Sequence, residues 1–295
     1  PSPEGPNDHA AVAAMENPPF DLPLPDPIAP DAALPHAFAQ AAALLSLERT
    51  GTLAIARDAT ALRAARAGGP VAAIMHMEGA EAIRDADALH AWHAMGLRSL
   101  GPVWSRPTHH GEGVPFAYPS GPDRGGPLTD AGRALVRDCD ALRIMLDLSH
   151  LNEAGFDDVA RLSVAPLVAS HSAVHALCPS SRNLTDRQLR QIADSGGLVG
   201  LNFASSFLRE DGRRLPLEDL GVMIRHLDHL LEILGEEGVA LGSDFDGALM
   251  PRDLPDAAAL PRLVQAMREA GYGEALITRI ACDNWIGLLE RVWTR

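Results

Sequence analysis

The chain has 295 residues, 46 % of them hydrophobic, which is enough for a large core buried in one domain. Lys and Arg number 25 against 39 Asp and Glu, a formal charge of −14, so phosphate backbones and anionic lipid surfaces are poor partners. Three cysteines, none in a CxxC pair, argue against a disulfide framework, and no apolar run is long enough to span a bilayer.

Residues 1–36 are rich in proline, which removes backbone donors and blocks helix, so this part is expected to be an extended surface loop or insertion. His36 to Gly51 and Asp58 to Ala67 carry helical patterns ended by glycines. From Val71 onward short apolar runs alternate with helices. Strands are predicted to start near Val71, Leu97, Arg143, Pro166, Leu198 and Val239. Helices are predicted over Ala80 to Met95, Thr129 to Leu142, Asn152 to Leu162, Asp186 to Asp194 and Leu217 to Leu234. Two more close the chain, over Ala257 to Ala270 and Gly273 to Val292. A long Gly/Pro/His loop spans Ser105 to Pro127.

Short apolar strands separated by helices imply parallel strands buried on both faces. An open doubly wound sheet or a closed (β/α)8 TIM-type barrel would both satisfy the pattern. No glycine-rich fingerprint follows the first strand, which disfavours a dinucleotide fold. Polar residues at many strand ends favour the barrel, whose sites are assembled from those ends. Six strands are two short of closure, so a first strand is expected upstream of Pro1. The expected organisation is a single domain over 1–295, with its core over 71–295.

Four strand ends carry candidate ligands or proton carriers: Glu78, His150, His171 and Asp244. Two imidazoles and a carboxylate suit zinc. Each residue alone has a plainer role. Glu78 can serve as a cap or ion-pair partner, and a histidine after an apolar strand is often a bonded core residue. Asp244 and Asp246 can be turn residues before Gly247, and Arg182 can be an ordinary surface arginine. His226 and His229 lie within a helix and are expected to be structural. His76 shares a strand face with Glu78, as a supporting residue rather than a ligand.

Five segments occur in order: MHMEG at Met75 to Gly79, LDLSH at Leu146 to His150, ASHS at Ala169 to Ser172, SSRNLTD at Ser180 to Asp186 and GSDFDG at Gly242 to Gly247. Together they resemble the membrane (renal-type) dipeptidase family, peptidase family M19, over about Val71 to Trp293. The resemblance implies a zinc dipeptidase on a (β/α)8 barrel with two zinc ions and a small dipeptide substrate, plausibly L-Xaa-D-Xaa. It implies that Glu78 bridges the metals, that His150 and His171 bind one of them, and that Arg182 grips the substrate carboxylate. It implies that Asp244 carries the proton. A homodimer follows by analogy only, and with no visible signal peptide the expected compartment is the cytoplasm.

Two departures stand out. The family's His-x-Asp pair has no counterpart before Glu78; EGPND at Glu4 to Asp8 has Pro6 where the histidine would be. One metal site is therefore expected to be incomplete in this chain. A substrate-contacting histidine is replaced by Trp104 in RSLGPVWS, as in a bacterial subgroup of relatives. His109 or His110 could reach back to replace it, or lie in water. The rival functions are hydrolysis of another amide or lactam on the same barrel, and a metal-depleted barrel that only binds peptides.

Overall fold

The computed structural model describes residues 9–294. Among these residues seven parallel strands stand side by side. They are Leu53–Ile55, a strand broken at Ile74 into Val71–Ala73 and Met75–Glu78, then Leu97–Gly101, Met145–Leu146, Val168–Ser172, Leu198–Asn202 and Val239–Gly242. Ladders join neighbours throughout, save one place. There Met145–Leu146 meets Val168–Ser172 through a single bridge, Asp147 to Val168, and through Leu148 N donating to Val168 O at 2.8 Å. Among the described residues no ladder joins Leu53–Ile55 to Val239–Gly242. The parallel β/α order is thus as expected, and the fold is mixed α/β; a closed ring of strands is not found.

Leu53–Ile55 was not among the predicted strands, because three residues are too few to show a period. Leu97–Gly101, Met145–Leu146, Leu198–Asn202 and Val239–Gly242 stop short of the apolar runs that predicted them, which reach Trp104, Leu148, Phe203 and Ser243. Val168–Ser172 is displaced toward its C-terminus, so that His171 lies within it. The helix predicted from Ala80 begins instead at Ala86, where Asp85 caps it by accepting from Ala88 N at 2.8 Å. Asp186–Asp194 starts on a capping box, with the Thr185 and Gln188 side chains each bonding the other's backbone.

The proline-rich start is a correction. It holds a short helix, His9–Met15, and a two-residue strand, Phe20–Asp21. The next helix runs Pro30–Arg49, six residues earlier than expected. Pro30 sits at its first turn, where a missing N–H costs nothing. Pro35 removes one interior bond, which the alanine- and leucine-rich turns around it outweigh. Phe20–Asp21 pairs antiparallel with Ala117–Tyr118, so this segment braces the long loop rather than trailing over the surface.

Helices pack their apolar faces on the strands in one large buried cluster. A second cluster joins Met145, Val168, Leu198 and Ala240 to Leu288, Leu289 and Val292 of the final helix, Asn284–Trp293. Each of those side chains except the Ala240 methyl contributes roughly 2 kcal/mol by leaving water. A π-helical turn, Arg279–Asp283, precedes that helix. It delivers Asn284, which donates to Val239 O at 2.8 Å, and Trp285, which donates to Leu241 O at 2.9 Å. The strand that leads to Asp244 is held in place from below by these two bonds.

Candidate active site

The C-terminal ends of the strands bring Glu78, His150 and His171 together. His150 Nε2 lies 3.0 Å from Glu78 Oε1, His171 Nε2 lies 3.2 Å from the same oxygen, and the two Nε2 atoms are 3.1 Å apart. Three donors on one face of a tetrahedron with zinc–ligand bonds near 2 Å would be about 3.3 Å apart. An N2O set at this spacing fits zinc. Among the described residues it is the one group of three or more such side chains able to hold a metal.

Glu78 keeps 40 % of its side chain exposed, whereas His150 and His171 keep 7 % and 12 %. Burial pushes the Glu78 carboxyl up, but the two imidazoles outweigh it and hold Glu78 well below the usual carboxylate range. Burial, helped by the Arg182 charge and opposed by Glu78, pushes the His150 pKa down. Burial also opposes charge on His171, but its bond to Glu78 and the nearby Asp147 carboxylate win and raise its pKa.

Arg182 comes from a loop between Val168–Ser172 and Asp186–Asp194. The loop is closed at its base, where Leu184 N donates to Ala173 O at 3.0 Å and His175 N to Leu184 O at 2.9 Å. Asn183 pins it by donating to Cys178 O and Phe207 O, each at 2.8 Å. Arg182 is therefore no surface residue: it is 3 % exposed. Its guanidinium donates to Ser149 O and, at 3.2 Å, to His150 Nε2, and it lies 5.4 Å over the Phe207 ring. Its Nε has no hydrogen-bond partner. A buried guanidinium with a donor to spare has the chemistry to pair with a carboxylate.

Asp244 sits just past Val239–Gly242 and is coupled to the cluster through Asn202. Asn202 Nδ2 is 3.1 Å from Asp244 Oδ2 and 3.4 Å from His171 O. Burial raises the Asp244 pKa, against the opposing pull of His171 and Asn202. Trp104 is half-buried beside the site, its ring 5.8 Å from both His150 and Phe116, and Phe116 stacks on Phe207 at 6.1 Å. These rings and Arg182 form one wall.

The sequence model of the family described as membrane dipeptidase (Peptidase family M19) matches residues 27–294. The chain belongs to that family. A protein in the pqqA 5′ region of Klebsiella pneumoniae is 44 % identical over 244 residues, 82 % of this chain and 90 % of its own length. A metallopeptidase from Rhodobacter sphaeroides, solved with a phosphinate mimic of the dipeptide L-Ala-D-Ala, is 57 % identical with a TM-score of 0.96. That match covers 99 % of this chain and 84 % of the other. Dipeptidase AC, a metallopeptidase of family M19, is also 57 % identical, with a TM-score of 0.95 over 98 % of this chain and 84 % of its own. This M19 chain is accordingly a metallopeptidase that hydrolyses dipeptides. No helix among its described residues is long and apolar enough to cross a membrane.

Other expected residues fall elsewhere in the dipeptidase. His110 is buried, with its Nε2 3.0 Å from Ile83 O, and His109 is exposed beside it, so neither joins the cluster. His226 and His229 are structural as expected: His226 bridges Val174 N and Leu208 O, and His229 bonds Asp186. His76 bonds Ser99 and stands 3.8 Å from Asp147, in a supporting place. The EGPND segment lies outside the described residues. Residue-type reasoning missed Ser105, Asp147, Ser170 and Asn202. Asp147 and Ser170 stood within the LDLSH and ASHS segments, whereas nothing marked Ser105 or Asn202 apart from ordinary strand and loop residues.

Proposed function

We propose that this M19 chain is a zinc-dependent dipeptidase of the (β/α)8-barrel type, acting on free-acid dipeptides of the L-Xaa-D-Xaa kind. The observation that carries the proposal is the meeting of Glu78, His150 and His171 within 3.2 Å of one another, beside buried Arg182. The related Rhodobacter sphaeroides protein, bound to a mimic of L-Ala-D-Ala, supports the stereochemical preference.

Glu78, His150 and His171 would hold the metal. Zinc bound there would supply a Lewis acid that polarises the peptide carbonyl and eases ionisation of water. Arg182 pairs its guanidinium with the substrate's terminal carboxylate, which fixes the length of ligand accepted. Trp104, Phe116 and Phe207 wall the substrate off from water, which strengthens each charge interaction inside. Asp244 takes a proton from the attacking water and gives it to the leaving amine. Its raised pKa suits that return step, because a carboxyl that holds a proton too weakly cannot act as the acid.

The test is hydrolysis of L-Ala-D-Ala, L-Ala-L-Ala and their C-terminal amides, before and after chelation and after return of zinc. Activity that disappears with chelation, returns with zinc and favours the L,D free acid is expected. Activity untouched by chelation, or equal rates on acid and amide, would overturn the proposal.

A further inference from the structure

A metal-binding histidine almost always donates its other ring N–H to a partner that fixes tautomer and ring orientation. Both imidazoles here have such a partner, and both partners are serines. His150 Nδ1 lies 3.0 Å from Ser105 Oγ. Its Nε2 faces an Arg182 N–H, so Nε2 accepts and the ring proton belongs on Nδ1, donated to Ser105. His171 Nδ1 lies 2.7 Å from Ser170 Oγ. The Ser170 hydroxyl donates to Asp147 Oδ2, which leaves its lone pair to accept from Nδ1–H. Nε2 of each ring is thereby turned toward Glu78.

Asp147 is the anchor. It is 4 % exposed and accepts, besides the Ser170 hydroxyl, Ser170 N–H at 2.8 Å, Ser149 N–H at 3.1 Å and the Ser149 hydroxyl at 2.6 Å. Ser149 Oγ in turn accepts His171 N–H at 3.0 Å. One carboxylate thus ties together the strand ends that carry both imidazoles. A β-bulge makes this possible. Ala169 pairs with Val199 but Ser172 pairs with Leu201, so Val168–Ser172 carries one extra residue. Strict alternation would send Ser170 and His171 to opposite faces; the bulge lets neighbouring side chains serve the same site.

We propose that Asp147, acting through Ser170, is a positioning residue that presets His171 with Nε2 free for metal, and that Ser105 does the same for His150. This rests on the metal-site reading above. The experiment measures Zn2+ affinity by competition with a chromophoric chelator, together with the melting temperature of the metal-free protein. Ser170→Ala should bind Zn2+ roughly 10–100-fold more weakly, with metal-free melting unchanged, and Ser170→Thr, which restores a hydroxyl, should recover the affinity. Asp147→Asn should weaken binding as well, and the double variant should be little weaker than either single one, because both sit on one chain of bonds. Native affinity in Ser170→Ala, or an affinity loss matched by lost metal-free stability, would overturn the inference. His171→Ala separates the two levels: if it binds Zn2+ as the native chain does, the metal-site reading itself fails.

Discussion

The side-chain amide of Asn202 holds the carboxylate of Asp244, with Nδ2 donating to Oδ2 across 3.1 Å. Asn202 is wholly buried, and Ala204 N–H donates to its Oδ1 at 2.6 Å, which decides the end of the amide that faces Asp244. Asp244 has φ 56°, a left-handed conformation that costs a non-glycine residue about 1–2 kcal/mol. Gly247 makes room for it, since a Cβ there would lie 2.3 Å from Asp244 Oδ1.

That arrangement sets an order of severity. Asp244→Asn should lower kcat by roughly 10²–10⁴ while metal stays bound, the range for a general acid–base group. Asn202→Ala removes one hydrogen bond to a charged group, about 1.5–3 kcal/mol, and should lower kcat by about 10–100-fold with KM little changed. Steady-state kinetics with parallel metal analysis checks both. A fully active Asp244→Asn would remove the proton-carrier assignment.

Arg182 should act on binding rather than on chemistry. Arg182→Ala is expected to raise KM for free-acid dipeptides by roughly 100-fold or more, since a lost partner for a buried charge costs about 3–5 kcal/mol. Arg182→Lys should recover little, because an ammonium lacks the planar fork that grips a carboxylate. Amide-capped dipeptides should be nearly indifferent to either change. A comparable KM increase on capped substrates would place the effect outside carboxylate recognition.

Gly113 shows how tightly the long loop is laid against the site. A Cβ there would stand 1.8 Å from Trp104 O and 3.1 Å from His150 O, and the next residue, Val114, donates its N–H to His150 O at 2.9 Å. Gly113→Ala must push the loop off the His150 strand end. Overpacking of this kind costs about 1–3 kcal/mol. Thermal melting and kcat should fall together; unchanged values for both would mean that the loop moves aside without consequence.

Stability should weaken in acid because of buried neutral histidines away from the site. Burial lowers His226 to about 4, against 6.5 when unfolded. Its Nε2–H donates to Leu208 O and its Nδ1 accepts Val174 N–H, so a second proton would break the latter bond. The folded pKa is depressed, so the unfolded chain binds more protons between pH 6.5 and 4. Stability is complete above that window and falls as the pH drops through it, by about 3 kcal/mol at most for this residue. His110, lowered to about 4 by burial, adds a similar slope. Urea midpoints from pH 7 to pH 4 should fall less steeply in His226→Gln than in the native chain; parallel curves would show that His226 does not titrate in this way.

Sequence by itself determined the parallel β/α order and the family, and it singled out Glu78, His150, His171 and Asp244 as candidates. These sit at or beside strand ends, where a break in an apolar run leaves a visible mark. The helix starts near Thr129 and Asp186 were legible for the same reason: the signal is local. Only the tertiary structure decided what depends on contact across the chain. Ser105 lies 45 residues from His150, and Asp147 lies 23 from Ser170, so no local pattern pairs them. The bulge that turns Ser170 and His171 onto one site depends on how Val168–Ser172 registers with Leu198–Asn202, and register belongs to the pair of strands rather than to either sequence. Likewise, Phe20–Asp21 looked like part of a proline-rich surface loop until Ala117–Tyr118 supplied its partner, because a strand of two residues exists only by virtue of the strand it bonds.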